Sequence, residues 1–168
     1  MAAYLNYISR YAVGLFLLRT SPQDLIASRS LTWAAAWVYI LSSVIVLKFS
    51  YPWSFALMYA LGSALVVLLF SYTLLLARKL EARVYQTLSA LFCVYILLNL
   101  VALPVVVLQS SMPSIIVLGW LNSFYGLIIN TQILKEALSV SLLSAALLTL
   151  AYTIVQVLLL DLMLYLFQ

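Results

Sequence analysis

Long apolar runs alternate with short polar corners along the whole chain. Stretches free of Asp, Glu, Lys and Arg extend over 30–47, 49–77, 84–134 and 137–160. A helix needs roughly 20 apolar residues to cross about 30 Å of hydrocarbon, so the first, second and fourth stretches each suit one crossing. The third would measure roughly 75 Å as a single helix at 1.5 Å per residue and must turn back once. Its natural corner is Gln109-Ser110-Ser111-Met112-Pro113, where polar residues precede a proline whose missing N–H costs nothing in the first turn of a helix. The pattern therefore predicts an all-α, polytopic transmembrane helix bundle with five spans, near 31–47, 53–77, 84–108, 114–134 and 138–160.

The corners at 48–52, 78–83, 109–113 and 135–137 are too short to separate domains, so neighbouring spans should run antiparallel in one bundle over 31–168. No internal repeat is visible. Residues 1–30 form a distinct cytoplasmic segment. Tyr4, Ile8, Tyr11, Ala12 and Leu15 share one helical face, Asn6 and Arg10 point away from it, and Val13 and Leu17 interrupt the polar side. The apolar run between Arg10 and Arg19 is too short to span, which predicts a short N-terminal interfacial helix over about 1–19. No small-residue cleavage site follows that run, as a signal peptide would require. Ser21-Pro22-Gln23-Asp24 reads as a helix start, with Ser21 as N-cap and Asp24 favourable in the first turn, and that helix is expected to run on into the first span.

Composition supports this reading. The chain is 67% hydrophobic and 7% charged, against about a quarter charged in a soluble domain, and so lacks the polar material for a water-facing surface. With the N terminus inside, Arg10, Arg19, Arg29, Arg78, Lys79, Arg83 and Lys135 fall on the cytoplasmic side and Lys48 alone outside. This positive-inside excess predicts a cytoplasmic N terminus and a C terminus across the membrane, and a bacterial inner membrane is the expected location. The net charge of +4 is spread along the cytoplasmic face. It suits anionic lipid headgroups and predicts no nucleic-acid partner.

Because lipid is as apolar as leucine, spanning helices associate through small residues and side-chain hydrogen bonds. In the fourth span Gly119, Asn122, Ser123, Gly126 and Asn130 fall within about 100° of one another at 3.6 residues per turn, and this face should point inward. Ala56, Ala60 and Ala64 recur every fourth residue in the second span beside Gly62 and Ser63. Ala145, Thr149, Thr153 and Gln156 share a face of the fifth, with Tyr152 at its edge. The third carries Asn99 and, further on, Pro104, which should kink it. Asn99, Asn122, Asn130 and Gln156 together suit either interhelical hydrogen bonding or a polar ligand. Most aromatics, such as Trp33, Trp37, Tyr51, Trp53, Tyr72, Tyr85, Trp120 and Tyr165, lie near span ends, as headgroup anchors do. Tyr59, Tyr95 and Tyr152 lie deeper and need hydrogen-bond partners.

The chemistry is mostly one of exclusions. There is no His, and Cys93 is the one cysteine, so neither a metal-ligand set nor an internal disulfide is expected. Asp24, Glu81, Glu136 and Asp161 all sit at span ends, leaving no acid pair or proton relay at mid-membrane depth. No nucleophile elbow or phosphate-binding glycine loop is present. The expectation is a non-enzymatic protein without cofactor.

Trp120 opening the fourth span, the basic corner Ile133-Leu134-Lys135-Glu136-Ala137-Leu138, and the alanine-rich last span around Ala145 and Ala146 resemble the Yip (Ypt-interacting protein) family of five-span membrane proteins and its bacterial relatives. The resemblance covers the last two spans, and elsewhere only the hydropathy. It implies the five-span topology with a cytoplasmic N terminus. The family's eukaryotic members are associated with vesicle trafficking and small GTPases through a soluble N-terminal region, which here corresponds to about thirty residues. No functional residue carries over. The expected role is a scaffold or accessory subunit, with membrane lipids and a second copy or partner membrane protein meeting the small-residue faces of the second and fourth spans. The alternative is a pore or carrier for a small solute lined by Asn99, Asn122, Asn130 and Gln156, or a lipid-binding protein.

Overall fold

The computed structural model describes residues 2–108 and 115–166, without the side chains of 2–6, 8 and 9. The expected corner at 109–113 and the faces of Tyr4 and Ile8 lie outside the described residues. Among the described residues the chain is all-helical. It has six α-helices: α1 (Ala2–Phe16), α2 (Arg29–Lys48), α3 (Trp53–Ala77), α4 (Val84–Leu108), α5 (Ile116–Leu138) and α6 (Leu142–Leu166).

Four stretches are long and apolar enough to cross a membrane: α2, α3, α6, and α4 with the turn that precedes it. The bundle's outward side chains are of the same kind, including Trp120, Leu143 and Leu147. A water-facing surface does not carry such a coat, so the chain is a membrane protein. α5 spans 23 residues but is more polar, because Asn122, Asn130, Gln132, Lys135 and Glu136 all lie within it.

α4 is the central post. It packs on α1, α2, α3 and α5, while α6 closes the bundle against α3 and α5. Leu88 to Val94 are buried without a break, as expected of a helix surrounded by others. Ala56, Ala60 and Ala64 are buried within the chain. Their small side chains let helices approach closely, so this stripe is spent on internal packing and is not an exposed face. At the α2–α3 corner the Lys48 ammonium sits 4.0 Å from the Trp53 ring centroid, a cation–π contact.

Tyr11, Ala12 and Leu15 are buried, and α1 packs against α4. The Phe16 ring meets Tyr125 edge-on at 5.1 Å, and the Tyr125 hydroxyl donates to the Phe16 carbonyl. Val13 and Leu17 face outward. The chain then reverses: the Tyr11 hydroxyl donates to the Ser21 carbonyl, and Tyr7 donates to that of Asp24 at 3.0 Å.

Three local expectations are corrected. First, α1 stops at Phe16 because Leu18 takes a left-handed conformation, φ 57°, and the Arg19 amide closes on the Gly14 carbonyl at 2.8 Å. Second, Ser21 does cap a helical start: its hydroxyl accepts from the Gln23 amide and Asp24 accepts from the Ser21 amide. That start is a single 3₁₀ turn, Pro22–Asp24. The first span begins separately at Arg29, where Ser28 accepts from the Leu31 amide at 3.4 Å. Third, Lys135–Ala137 is helix, and the corner falls at Ser139, φ 51°. Lys135 and Glu136 are good helix formers, and a lysine in the last turn complements the helix dipole. Their charge does not break the backbone. α6 accordingly starts at Leu142, with the Ser141 hydroxyl accepting from the Ser144 amide at 3.3 Å, and it continues past Asp161.

Candidate polar site in the bundle

A cleft of about 230 Å³ lies between α2, α4, α5 and α6. α5 supplies Asn122, Ser123, Gly126 and Asn130, successive positions on the face that its periodicity marks as polar, and α4 supplies Asn99. Tyr39, Tyr95 and Tyr152 come from α2, α4 and α6. Each stands roughly 15 Å along its helix at 1.5 Å per residue, deep within a span.

Two of the seven residues singled out by sequence lie beside the cleft. Gly119 sits against Val105, 3.5 Å from where a β-carbon would be. Gln156 stands one turn beyond Tyr152 and donates to its hydroxyl at 2.7 Å. Gly126 lies close to α4: a β-carbon there would stand 3.3 Å from Leu98 Cδ1, and the tip of that side chain would have to give by a few tenths of an ångström. Ser123 is exposed and donates to the Gly119 carbonyl at 3.1 Å. It marks the open end, while Tyr39 and Asn130, each 7% exposed, mark the buried end.

The polar groups form a belt through all four helices and α3. The Asn99 amide donates to both Ser42 and Ser43 at 2.9 Å. Tyr39 pairs with Ser63 of α3 at 2.8 Å, and Gln156 reaches the Ser63 carbonyl at 3.4 Å. The Tyr95 and Tyr152 rings stack with centroids 6.5 Å apart. The Asn122 amide donates to the Leu98 carbonyl at 3.3 Å. Tyr39 is a member that sequence reasoning missed. The available signal was Ser42 and Ser43 one turn on, the same polar turn that meets Asn99.

The belt is lopsided. The amide nitrogens of Asn99, Asn122 and Gln156 donate to neighbours, whereas the side-chain oxygens of Asn122, Asn130 and Gln156 are buried without a partner. An unpaired buried acceptor costs about 1–3 kcal/mol. Two of them, on Asn122 and Asn130, belong to residues that line one cleft, where the donors of a bound molecule would satisfy them. No carboxylate and no cation lines it, so it offers dipoles and aromatic faces without charge.

These features define a helical membrane protein with an uncharged, acceptor-rich cleft inside an otherwise apolar bundle. No family model, curated protein or solved structure matches the chain.

Proposed function

We propose that the chain is a non-enzymatic membrane protein that binds a small, uncharged, donor-bearing solute in the Asn–Tyr cleft, as a carrier would. The observation behind this is the meeting of Asn99, Asn122 and Asn130 on one cavity with buried amide oxygens left over. A scaffold or accessory-subunit role lacks a comparable support, since the alanine stripe of α3 is buried inside the chain. The direct test is thermal stability of the purified protein in mild detergent with urea, glycerol, acetamide and ethylene glycol, followed by proteoliposome uptake of whichever stabilises it. One of the four should raise the melting temperature in a saturable way. A flat response across all four and no uptake above empty liposomes would defeat the reading.

We further propose that α5 is a fifth span. Its 23 residues measure roughly 34 Å at 1.5 Å per residue, enough to cross, and it packs between α4 and α6. In this arrangement α1 lies at the cytoplasmic interface of a bacterial inner membrane, its exposed Val13 and Leu17 entering lipid and Arg10 staying at headgroup level. Seven of the eight basic residues then fall inside, and the topology is the one implied by the Yip resemblance. Lys48→Cys and Lys79→Cys, each in a Cys93→Ser background, should label with an impermeant maleimide from opposite sides of the membrane. Labelling from one side would overturn the span count.

A further inference from the structure

A second cleft, independent of the polar one, opens on the flank formed by α2, α3 and α4. It holds about 310 Å³. Its walls are three helical stripes, marked by Arg29, Trp33 and Ala36 on α2, Leu65 and Tyr72 on α3, and Tyr85 and Phe92 on α4. The stripes are graded along their length. Arg29 and Tyr85 stand at the starts of α2 and α4, and Tyr72 lies near the end of α3, so the cation and both phenols gather at one end. Ala36, Leu65 and Phe92 lie roughly 10 Å deeper, seven or eight residues along at 1.5 Å each.

The few polar groups within the walls are already engaged. Thr32 pairs with Ser89 at 2.7 Å and donates to the Tyr85 carbonyl. At the mouth the opposite holds: the Arg29 guanidinium and the Tyr72 and Tyr85 hydroxyls bond to no described residue. Arg29 is exposed. Arg78 and Lys79 occupy the α3–α4 corner at the same end, with Glu81 the one acid there, so the rim is cationic. A hydrocarbon slot under an unpaired guanidinium and two phenol donors has the polarity of an anionic lipid turned inside out.

We propose that this cleft binds one acyl chain of an anionic phospholipid, its phosphate held by Arg29 and by the Tyr72 and Tyr85 hydroxyls. Guanidinium suits phosphate because its planar donors meet two oxygens at once. The occupant is a membrane lipid, since the slot opens where the leaflet's own chains lie and its cationic rim sits at headgroup level.

Trp33 forms part of the wall and is 48% exposed, which makes it a reporter. With Trp37, Trp53 and Trp120 replaced by Phe, Trp33 is the one tryptophan left. The full chain is reconstituted into phosphatidylcholine vesicles containing increasing fractions of phosphatidylglycerol or phosphatidylcholine brominated on the acyl chains. Half-maximal quenching of Trp33 should need about fivefold less brominated phosphatidylglycerol than brominated phosphatidylcholine, the scale of one basic side chain at an anionic lipid. Arg29→Gln should abolish this preference, Arg29→Lys should keep part of it, and Lys135→Gln, on the same face but outside the cleft, should leave it in place. Equal quenching by the two lipids in the parent would overturn the proposal. So would a preference that survives Arg29→Gln, or one that Lys135→Gln removes as fully, because each makes the preference a property of the general surface charge.

Discussion

Replacing Asn130 with Leu separates a binding role from a structural one, because the two predict opposite effects on stability. Asn130 is 7% exposed, its side-chain oxygen has no partner, and it lines the cleft together with Tyr95. Leu branches at the same carbon but is larger, and the adjoining cleft has room for the added volume. The variant gives up whatever polar contact the amide group makes, worth about 0.6 kcal/mol on average and at most about 1.7 within a membrane. It also removes a buried unpaired acceptor that costs about 1–3 kcal/mol. The sum places Asn130→Leu within about 1 kcal/mol of the parent, or above it. Binding should move the other way. A donor that loses its acceptor in a desolvated site costs about 1–3 kcal/mol, which weakens the complex roughly 5- to 150-fold. SDS titration of the protein in mixed micelles reads the stability, and the solute-dependent rise in melting temperature reads the affinity. A variant destabilised by more than about 2 kcal/mol that still responds to solute like the parent would show that Asn130 is a structural tie, and the argument from unpaired oxygens would fail.

Two other predictions concern the helix ends. Lys79 holds φ 58° at the end of α3, a conformation that costs a side-chain-bearing residue about 1–2 kcal/mol and glycine little, so Lys79→Gly should raise stability by about 1 kcal/mol in the same titration; no gain would mean the strain is absent. Burial pushes the Tyr11 phenol above its ordinary value of 10.0, with the negative charge of Asp24 adding to the rise. The folded protein therefore holds that proton more tightly than the unfolded chain, and the stability this supplies is full below pH 10 and declines as pH rises above it. Thermal unfolding between pH 8 and pH 11 should show a decline that is smaller in Tyr11→Phe, and identical slopes for the two proteins would refute the coupling.

How much of the fold could be read beforehand depended on what each signal physically reports. The bounds of α3 and α4 coincide with the expected spans, 53–77 and 84–108, because charge, proline and helix end fall together there. At the α5–α6 corner they do not. Lys135 and Glu136 interrupt the apolar run, yet nothing about those residues stops a helix, and the stop comes at Ser139. The ends at Leu18, Lys79 and Ser139 are all left-handed without glycine, so the usual mark of a helix terminus is missing at each. The Ser21 cap was legible as chemistry but not in extent. A capping box fixes how a helix begins, while its length depends on tertiary contacts. Here Gln86 of α4 donates to the Gln23 and Leu25 carbonyls and holds the segment out of helix.

The candidate site divides along the same line. Periodicity on a single helix is enough to collect Asn122, Ser123, Gly126 and Asn130 on one face, and the structure puts that face on the cleft. What α5 meets there is decided by the rotation of α2, α4 and α6, which no one-dimensional pattern carries. Tyr39 illustrates the loss: a tyrosine in a span reads as an anchor at headgroup depth, and only the placement of Ser63 on α3, 2.8 Å from its hydroxyl, makes it part of the interior. The same geometry explains why the belt has surplus acceptors. Each carboxamide carries two N–H donors and a carbonyl with two lone pairs, and in a helix bundle its amide group finds backbone carbonyls or hydroxyls on the neighbouring helix, as Asn122 and Gln156 do. Backbone N–H groups are already committed within their own helices, so a carbonyl oxygen turned into such an interior has few donors to meet. A chain that needed only interhelical ties would be better served by serine and threonine, which back-bond to their own helix as Thr131 and Thr153 do. Placing several carboxamides around one space leaves acceptors over by construction, and that surplus is the physical content of the proposal that a donor-bearing solute belongs there.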